Sequence, residues 1–136
     1  MSRLIIFGAT GSLGSHVVRL AMAAGHRVTV FVRTPSRLPL DAQAQVSVHQ
    51  GDLSTLAIAD IAGLIRGHDA LVNCAGTVTE GQPFVDLVDR LVTAVESVPH
   101  AEQPVCWFLA GVAILDIGPS GRKGVDLPGV ASLSNV

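Results

Sequence analysis

Three glycines near the start of the chain, Gly8, Gly11 and Gly14, recur at a spacing of three. They follow a short apolar run and open a segment with helical periodicity. In a strand-to-helix turn of this kind, the first glycine permits the tight turn, the second lets the backbone approach a pyrophosphate, and the third lets the helix pack against the sheet. The amides and the positive dipole end of that helix then face the phosphates. The pattern predicts a dinucleotide-binding turn, with a purely structural corner as the alternative.

Basic side chains follow the second predicted strand, where a site of this kind meets the adenosine ribose. An acidic residue there would accept hydrogen bonds from the ribose hydroxyls and repel a 2′-phosphate. This chain instead has Arg33, followed by Arg37. A guanidinium matches a phosphate in geometry and in charge. We therefore predict NADP(H) as the favoured cofactor, with both arginines near the 2′-phosphate. NAD(H) and solvated arginines are the alternatives.

Short apolar runs alternate with longer amphipathic segments, and these elements must position the glycine turn and the arginines. Strands are predicted at residues 3–7, 27–32 and 46–50, in the segment 70–76 together with its turn, and from residue 105 onward. Strands that alternate with right-handed crossover helices form a parallel sheet. We therefore predict an α/β fold with a doubly wound (Rossmann) parallel sheet, about five strands in the order 3-2-1-4-5 and helices on both faces.

Three helices are predicted between the strands from apolar residues at helical spacing. The first should end at Gly25 in a left-handed turn, and the second should begin at a Ser54 cap and end at Gly67. The third has Pro83 in its first turn, where proline is favourable. The apolar face of the first helix is expected to comprise Leu13, Val17, Leu20, Ala21 and Ala24.

The chain has the length of one domain, and its composition changes near residue 117. Residues 1–117 are predicted to form an NAD(P)-binding Rossmann domain. Residues 118–136 are rich in glycine and proline, and they are predicted to form an irregular C-terminal tail.

Four motifs resemble, in order, those of a known superfamily: FGATGSLGSHVV at the glycine turn, GDL at 51–53, GHDAL at 67–71 and NCAG at 73–76. Over nearly its whole length the chain is similar to the atypical and extended short-chain dehydrogenase/reductase superfamily. Within it, the resemblance is to small NAD(P)H-binding proteins grouped near NmrA-like regulators, flavin reductases and the NAD-dependent epimerase/dehydratase family. Epimerase/dehydratase relatives continue into a substrate lobe, so the resemblance implies that the tail is a remnant of that lobe in a C-terminally shortened chain.

The resemblance also implies a set of cofactor-binding positions. Asp52 would contact the adenine amino group, with capping of the following helix as its alternative role, and Leu53 would line the adenine pocket. Asn73, Ala75 and Gly76 would pass beneath the adenosine and ribose. Together with the turn and the arginines, the full set is Gly8, Thr10, Gly11, Ser12, Leu13, Gly14, Arg33, Arg37, Asp52, Leu53, Asn73, Ala75 and Gly76.

Residues for acid–base chemistry are missing from the expected places. Many members of the superfamily use a tyrosine with a lysine four positions later, and a serine after the fifth strand. This chain has no tyrosine, its one lysine is Lys123, and Ala110 and Gly111 stand where serine is common. The catalytic residues are therefore unknown. Members without the pair still reduce flavins or other acceptors, because hydride transfer is mainly the chemistry of the cofactor.

Three functions remain open from the sequence. The first is an NAD(P)-binding protein related to oxidoreductases, which transfers hydride from NADPH to a small acceptor such as a flavin or quinone, or has epimerase/dehydratase-like chemistry in its full-length form. The second is a redox-sensing protein that binds NADP(H) without turnover. The third is a remnant domain that only oligomerises. The sequence does not identify a substrate.

Charge and hydropathy limit the partners and the location. The formal net charge is −2 and the basic residues are scattered, so no nucleic-acid partner is expected. No apolar run approaches the length of a membrane span and no export signal is recognised, which predicts a cytoplasmic protein without a membrane partner. Cys74 and Cys106 are then expected to be reduced thiols in the core. The five histidines lack metal-ligand spacing, and no metal is predicted.

The fifth predicted strand, VCWFLAGVAIL, is as apolar as any segment of the chain. It lies at an edge of the predicted sheet, and long apolar edges tend to pair with another chain or to be covered. We therefore predict a homo-oligomer that associates through this strand or through the third helix beside it.

Overall fold

The central feature of the computed structural model is one parallel sheet. The structure describes residues 1–76 and 80–108, together with the backbone at 116–117 and 122–123. The strands are β1 (Arg3–Phe7), β2 (Arg27–Val32), β3 (Ser47–Gln50), β4 (Ala70–Asn73) and β5 (Val105–Phe108). Their order is β3-β2-β1-β4-β5, with every pair parallel, which confirms the predicted fold class and strand order.

Helices cover the two faces of this sheet. They are α1 (Ser12–Ala23), α2 (Leu40–Gln43), α3 (Ile58–Ile65) and α4 (Gln82–Ser97), with single 3₁₀ turns at Pro35–Arg37 and His100–Glu102. One hydrophobic cluster joins α1 and α2 to the sheet, and the other joins α3 and α4 to its opposite face. β1 lies between the clusters: Ile5 and Phe7 pack towards α3 and α4, whereas Ile6 packs towards α1.

The register of the central strands brings their carboxyl ends level. Phe7, the last residue of β1, is paired with Phe31 on one side and with Asn73 on the other. On the far side of β2, Val32 is paired with Gln50. The loops that follow these four strands therefore open from the same edge of the sheet, which is where parallel α/β folds bind ligands.

The buried face of α1 agrees with the predicted one only in part, because Ala21 is buried and Val17 packs against the core, but the two leucines do not. Gly14, Val18 and Ala21 face the sheet, while Leu13 and Leu20 are 44% and 70% exposed. A Cβ atom at Gly14 would lie 2.0 Å from the carbonyl oxygen of Gly8, so the helix backbone touches the preceding turn at this point. That contact fixes the rotation of α1. Leu13 lies one residue before Gly14, about 100° around the helix, and therefore points away from the core.

The start of α3 also differs from the prediction, because Ser54 does not cap it. The cap residue is Ala57, and α3 begins at Ile58. Ser54 instead donates its backbone N–H and its hydroxyl to the carboxylate of Asp52, at 2.9 and 2.7 Å. Serine and aspartate often form such local turns, which compete with helix formation. Gly25 and Gly67 adopt the predicted left-handed conformation, with φ of 78° and 82°.

Near the C-terminus the described residues form two short strands. β6 (Asp116–Ile117) pairs with β7 (Arg122–Lys123) in antiparallel fashion, so this pair spans the predicted domain boundary at residue 117. The remainder of the predicted tail, and Ala110 and Gly111, lie outside the described residues. The division into a domain and a tail stays a prediction.

Candidate functional site

A cavity of about 970 Å³ opens at the carboxyl edge of the sheet. Its walls come from the loops after β1, β2, β3 and β4 and from the first turns of α4. The cavity lies beside the ends of β1 and β4, where the chain continues from these two strands towards opposite faces of the sheet. This is the ligand-binding position of doubly wound folds. The volume is that of a site for a molecule of cofactor size. Of the predicted residues, Gly8, Thr10, Gly11, Arg33, Arg37, Asp52, Leu53, Ala75 and Gly76 line it.

Two of the three turn glycines are required by the fold itself. Gly8 has a φ of 77°, and a Cβ atom there would lie 2.4 Å from the backbone nitrogen of Ala75. A Cβ atom at Gly14 would clash with the Gly8 carbonyl in the same way, because the first turn of α1 packs directly on the loop. These two positions therefore need glycine with or without a ligand.

Gly11 differs from its neighbours, because the chain leaves room beside it. Its φ of −77° and ψ of 172° suit any residue, and a Cβ atom would meet only the carbonyl oxygen of Gly8, at an ordinary 3.5 Å. Gly11 lines the cavity and precedes α1, whose N-terminus has no side-chain cap and no acidic residue in its first turn. A glycine that the fold does not need, beside uncapped helix amides, is what close approach of a phosphate group would require.

The other predicted residues of the glycine turn do not line the cavity. Ser12, Leu13 and Gly14 form the first turn of α1, and their side chains or α-carbons do not line the cavity. The hydroxyl of Ser15 donates to the carbonyl of Ser12 at 2.9 Å.

Arg33 and Arg37 lie on the β2 side of the cavity. Both are exposed, and neither guanidinium forms an ion pair within the described residues. The carbonyl of Arg33 accepts a hydrogen bond from the Gln50 side chain at 3.2 Å, which ties the ends of β2 and β3 together. Two cationic side chains without an ion-pair partner in the described residues thus line the cavity beyond the end of β2.

Asp52 follows β3 on the same side. The two hydrogen bonds from Ser54, and to a smaller extent the charge of Arg33, hold the pKa of this carboxyl below its ordinary value of 3.8. The carboxylate is therefore ionised at neutral pH. Only Oδ1 takes part in the described contacts, and the turn that it closes precedes α3 by several residues. Asp52 thus shapes its own loop and does not cap the helix.

The floor beneath Asp52 is apolar. Leu53 and Phe31 are 7% and 5% exposed, and both line the cavity. A Cβ atom at Gly51 would lie 2.6 Å from Cζ of Phe31, so glycine at this position leaves room for the end of the phenyl ring beside the loop. Sequence reasoning did not identify Phe31 or Ser54 as cavity residues, although the GDL motif marked the loop itself.

The turn after β4 forms the opposite wall. Asn73 is 3% exposed, and its side chain accepts from the Ala75 N–H at 3.2 Å and donates to the Ala75 carbonyl at 3.4 Å. It does not line the cavity, whereas Ala75 and Gly76 do. Cys74 packs partly into the α1 side of the core, as expected, but it also lines the cavity, and burial raises the pKa of its thiol.

Helix α4 supplies a wall that the sequence did not reveal. Pro83, Asp86, Leu87, Asp89 and Arg90 line the cavity from this helix, with Glu80 just before it. Its apolar periodicity predicted a core helix, and no local motif distinguishes its cavity-facing flank. Within the described residues, no cluster of histidine, cysteine and acidic side chains could hold a metal ion, and no helix is long and apolar enough to cross a membrane.

Sheet order, glycine turn and cavity position together define a Rossmann-type dinucleotide-binding domain. A comparison with protein families agrees with that class and refines it. The sequence profile described as NAD(P)H-binding matches residues 8–101, and the chain belongs to this family.

Solved structures with the same fold include three from bacteria. A candidate epimerase from Bacteroides thetaiotaomicron is 20% identical, with a TM-score of 0.74 over 98% of this chain and 58% of the other. The oxidoreductase ylbE from Lactococcus lactis is 19% identical, with a TM-score of 0.73 over 98% and 57%. A candidate NADH-flavin reductase from Streptococcus pneumoniae is 22% identical, with a TM-score of 0.67 over 95% and 57%. The chain thus spans less than two thirds of the length of each.

Proposed function

We propose that the protein binds NADP(H) in the carboxyl-edge cavity and that bound NADPH transfers a hydride to a small acceptor such as a flavin or quinone. The observation that carries the proposal is Gly11, where the fold has no need of glycine and the space beside the backbone opens into the cavity. The uncapped amides at the start of α1 supply donors for the pyrophosphate. Membership of the NAD(P)H-binding family supports a nicotinamide dinucleotide as the ligand.

The preference for NADP(H) over NAD(H) rests on Arg33 and Arg37. Both residues line the cavity, and the first residue after β2 is the basic Arg33 in place of an acidic residue. A 2′-phosphate would neutralise two cations that have no ion-pair partner within residues 1–76 and 80–108. Asp52 would accept a hydrogen bond from the adenine amino group, and Leu53 and Phe31 would contact the adenine ring.

The reaction would depend on the cofactor rather than on an acid of this chain. When bound, NADPH supplies a hydride to the acceptor, which takes its further proton from water, and NADP⁺ is released. The chain's own residues bind and orient the dinucleotide. Flavins and quinones fit this scheme, because the chain offers no tyrosine for protonating a substrate. Epimerase/dehydratase-like chemistry, with residues of a substrate lobe, is the alternative for a longer form.

A sensing role is the second candidate, and the missing tyrosine–lysine pair favours it. In that case NADP(H) would bind in the same cavity without turnover. Oxidation of NADPH at 340 nm in the presence of a flavin or a quinone distinguishes the two functions. Turnover supports the reductase, whereas submicromolar binding without turnover supports the sensor.

Calorimetric titration of NADPH tests the shared part of both candidates. Gly11→Val should weaken binding about a hundredfold or more, because the side chain displaces a pyrophosphate held by several charge-assisted hydrogen bonds. Gly63→Val is the matched control, since a Cβ atom at Gly63 meets nothing within 4 Å and the residue lies on α3 outside the cavity lining. Equal affinities for the parent and Gly11→Val proteins would show that the turn is only a corner.

We also propose that two copies associate through β5. Val105 and Trp107 are 62% and 65% exposed on one face of this edge strand, whereas Cys106 and Phe108 pack on the other face. Within the described residues β5 is the last strand of the sheet, and pairing with a second β5 would extend the sheet and bring the exposed side chains of the two copies close together. Trp107→Lys should shift sedimentation from dimer to monomer, with Leu40→Lys, an exposed leucine on α2, as control. A parent protein that is monomeric at micromolar concentration would refute this proposal.

The cytoplasmic location stays a prediction.

A further inference from the structure

Arg90 of α4 reaches across the cavity wall to the loop that connects β3 to α3. Its Nε donates to the carbonyl of Leu53 at 2.9 Å, and its Nη2 donates to the carbonyl of Leu56. The guanidinium is partly buried, and the residue lines the cavity. One planar side chain therefore holds two successive parts of a loop that belongs to neither a strand nor a helix.

The loop that Arg90 holds is the one that presents Asp52 and Leu53 to the cavity. Within the loop, the amides of Thr55 and Leu56 donate to the carbonyl of Asp52, which tightens the turn locally. Those bonds do not connect the loop to α4. Arg90 donates hydrogen bonds that do, and Leu53 also lies in the hydrophobic cluster that includes Leu91 of α4, so the position of the Asp52 loop against α4 depends in part on this guanidinium.

The charges around Arg90 leave it directed at the loop. Asp86, one turn earlier on α4, accepts a hydrogen bond from Gln82 at 2.8 Å. No ion pair joins Arg90 to an acidic residue within the described part of the chain. Removal of the guanidinium would leave two carbonyls of the loop without their donors, one of them at the buried Leu53.

We propose that Arg90 is a positioning residue for adenine recognition: it fixes the Asp52 loop against α4 and thereby determines how strongly the site distinguishes adenine from other bases. The inference rests on the proposed NADP(H) site. It assigns to α4 a role in specificity, although Arg90 itself acts through Asp52 and Leu53.

The test compares NADPH with its deamino analogue, in which hypoxanthine replaces adenine. The parent should bind NADPH about tenfold or more tightly than the analogue, because the ionised Asp52 accepts from an amino group and repels a carbonyl. In Arg90→Met this ratio should fall close to one. In Arg90→Lys, which keeps the charge but can reach one carbonyl at a time, the ratio should be intermediate.

Arg66→Met is the matched control, because Arg66 forms an exposed ion pair with Glu102 at the far end of α3, at 2.7 Å. It should leave the ratio unchanged. Amide hydrogen exchange without ligand gives a second readout: residues 53–57 should exchange faster in Arg90→Met and Arg90→Lys than in Arg66→Met. If Arg90→Met fails to fold, Arg90→Lys carries both measurements.

The outcomes separate the two proposals. If the parent binds NADPH and the Arg90 variants keep the parent ratio and exchange rates, the positioning role is refuted while the NADP(H) site stands. If the parent shows no preference for adenine, the positioning role is also refuted. If the parent does not bind NADPH, the proposed function fails and the inference fails with it.

Discussion

Polar groups at the amino ends of the strands (the amino edge of the sheet) are arranged differently from those at the carboxyl ends (the carboxyl edge). At the amino edge these groups satisfy one another: the Ser2 N–H donates to Nδ1 of His26, the Arg3 N–H donates to the Asp69 carboxylate, and His68 Nε2 lies 2.9 Å from the Thr29 hydroxyl. At the carboxyl edge, Arg33 and Arg37 line a cavity and have no ion-pair partners in the described residues. The amino edge is built for stability, whereas the carboxyl edge leaves groups available to a ligand.

Gly14→Val should break this division, because it is a carboxyl-edge residue on which stability depends. Its Cβ would lie 2.0 Å from the Gly8 carbonyl oxygen, and backbone cannot yield as a side chain can. We expect a loss of at least about 3 kcal/mol in the free energy of unfolding, measured by urea denaturation. Gly63→Val serves again as the control. A Gly14→Val protein as stable as the parent would mean that α1 does not press on the turn.

Arg33→Ala should sharpen the comparison at the ligand side. A charge-assisted contact contributes roughly 1.5–3 kcal/mol, so the preference for NADPH over NADH should fall about ten- to a hundredfold. Stability without ligand should change little, because the side chain is exposed. Arg19→Ala, a change of an exposed arginine on α1, is the control. If the parent binds NADH and NADPH equally, the assignment of Arg33 is wrong.

Thr29→Val should show the opposite behaviour at the amino edge. It replaces the hydroxyl beside His68 by a methyl group of similar shape and leaves a partly buried ring nitrogen unpaired. The expected loss is about 1 kcal/mol of unfolding free energy, with NADPH affinity unchanged. Thr29→Ser keeps the hydroxyl and should recover most of the loss. A weaker affinity in Thr29→Val would couple the two edges, contrary to the comparison.

Asp69→Asn should give the smallest effect, visible as a change in pH dependence. The Arg3 N–H is the main cause that lowers the pKa of Asp69 from 3.8. A lowered folded-state pKa stabilises the protein above pH 3.8, and this contribution is lost as the pH falls through the folded-state pKa. The melting temperatures of parent and variant should therefore differ near neutral pH and converge in acid. A difference that is constant with pH would contradict the role of the carboxylate.

Patterns carried by consecutive residues predicted the fold well. The alternation of apolar runs predicted the parallel order of β1 to β5, and Gly25 and Gly67 marked helix ends because left-handed backbone has a strong residue preference. The rotation of α1 was wrong because a backbone contact between Gly8 and Gly14, and not hydropathy, determines it. Hydropathy alone would have buried Leu20, which is 70% exposed.

Residues of the candidate site were predictable where a local motif or, for Arg33 and Arg37, the end of a predicted strand marks them. The glycine turn and the GDL loop brought Gly11 and Asp52 into consideration, and both line the cavity. Arg90 carries no such mark, because its partners Leu53 and Leu56 lie more than thirty positions away in the chain. Contacts of this kind arise only when the sheet brings α4 beside the β3–α3 loop, and a single sequence does not encode that distance in any short pattern.

The position of β3 has a consequence for folding cooperativity. Within the described sheet it is an edge strand of four exposed residues that pairs with β2, yet the loop that follows it forms part of the cavity. A dinucleotide that contacts Gly11, Arg33 and Asp52 would act as a non-covalent cross-link among the ends of three strands. At a hundred times its dissociation constant, such a ligand adds about 2.7 kcal/mol to stability. This exposed edge strand would then melt together with the rest of the sheet.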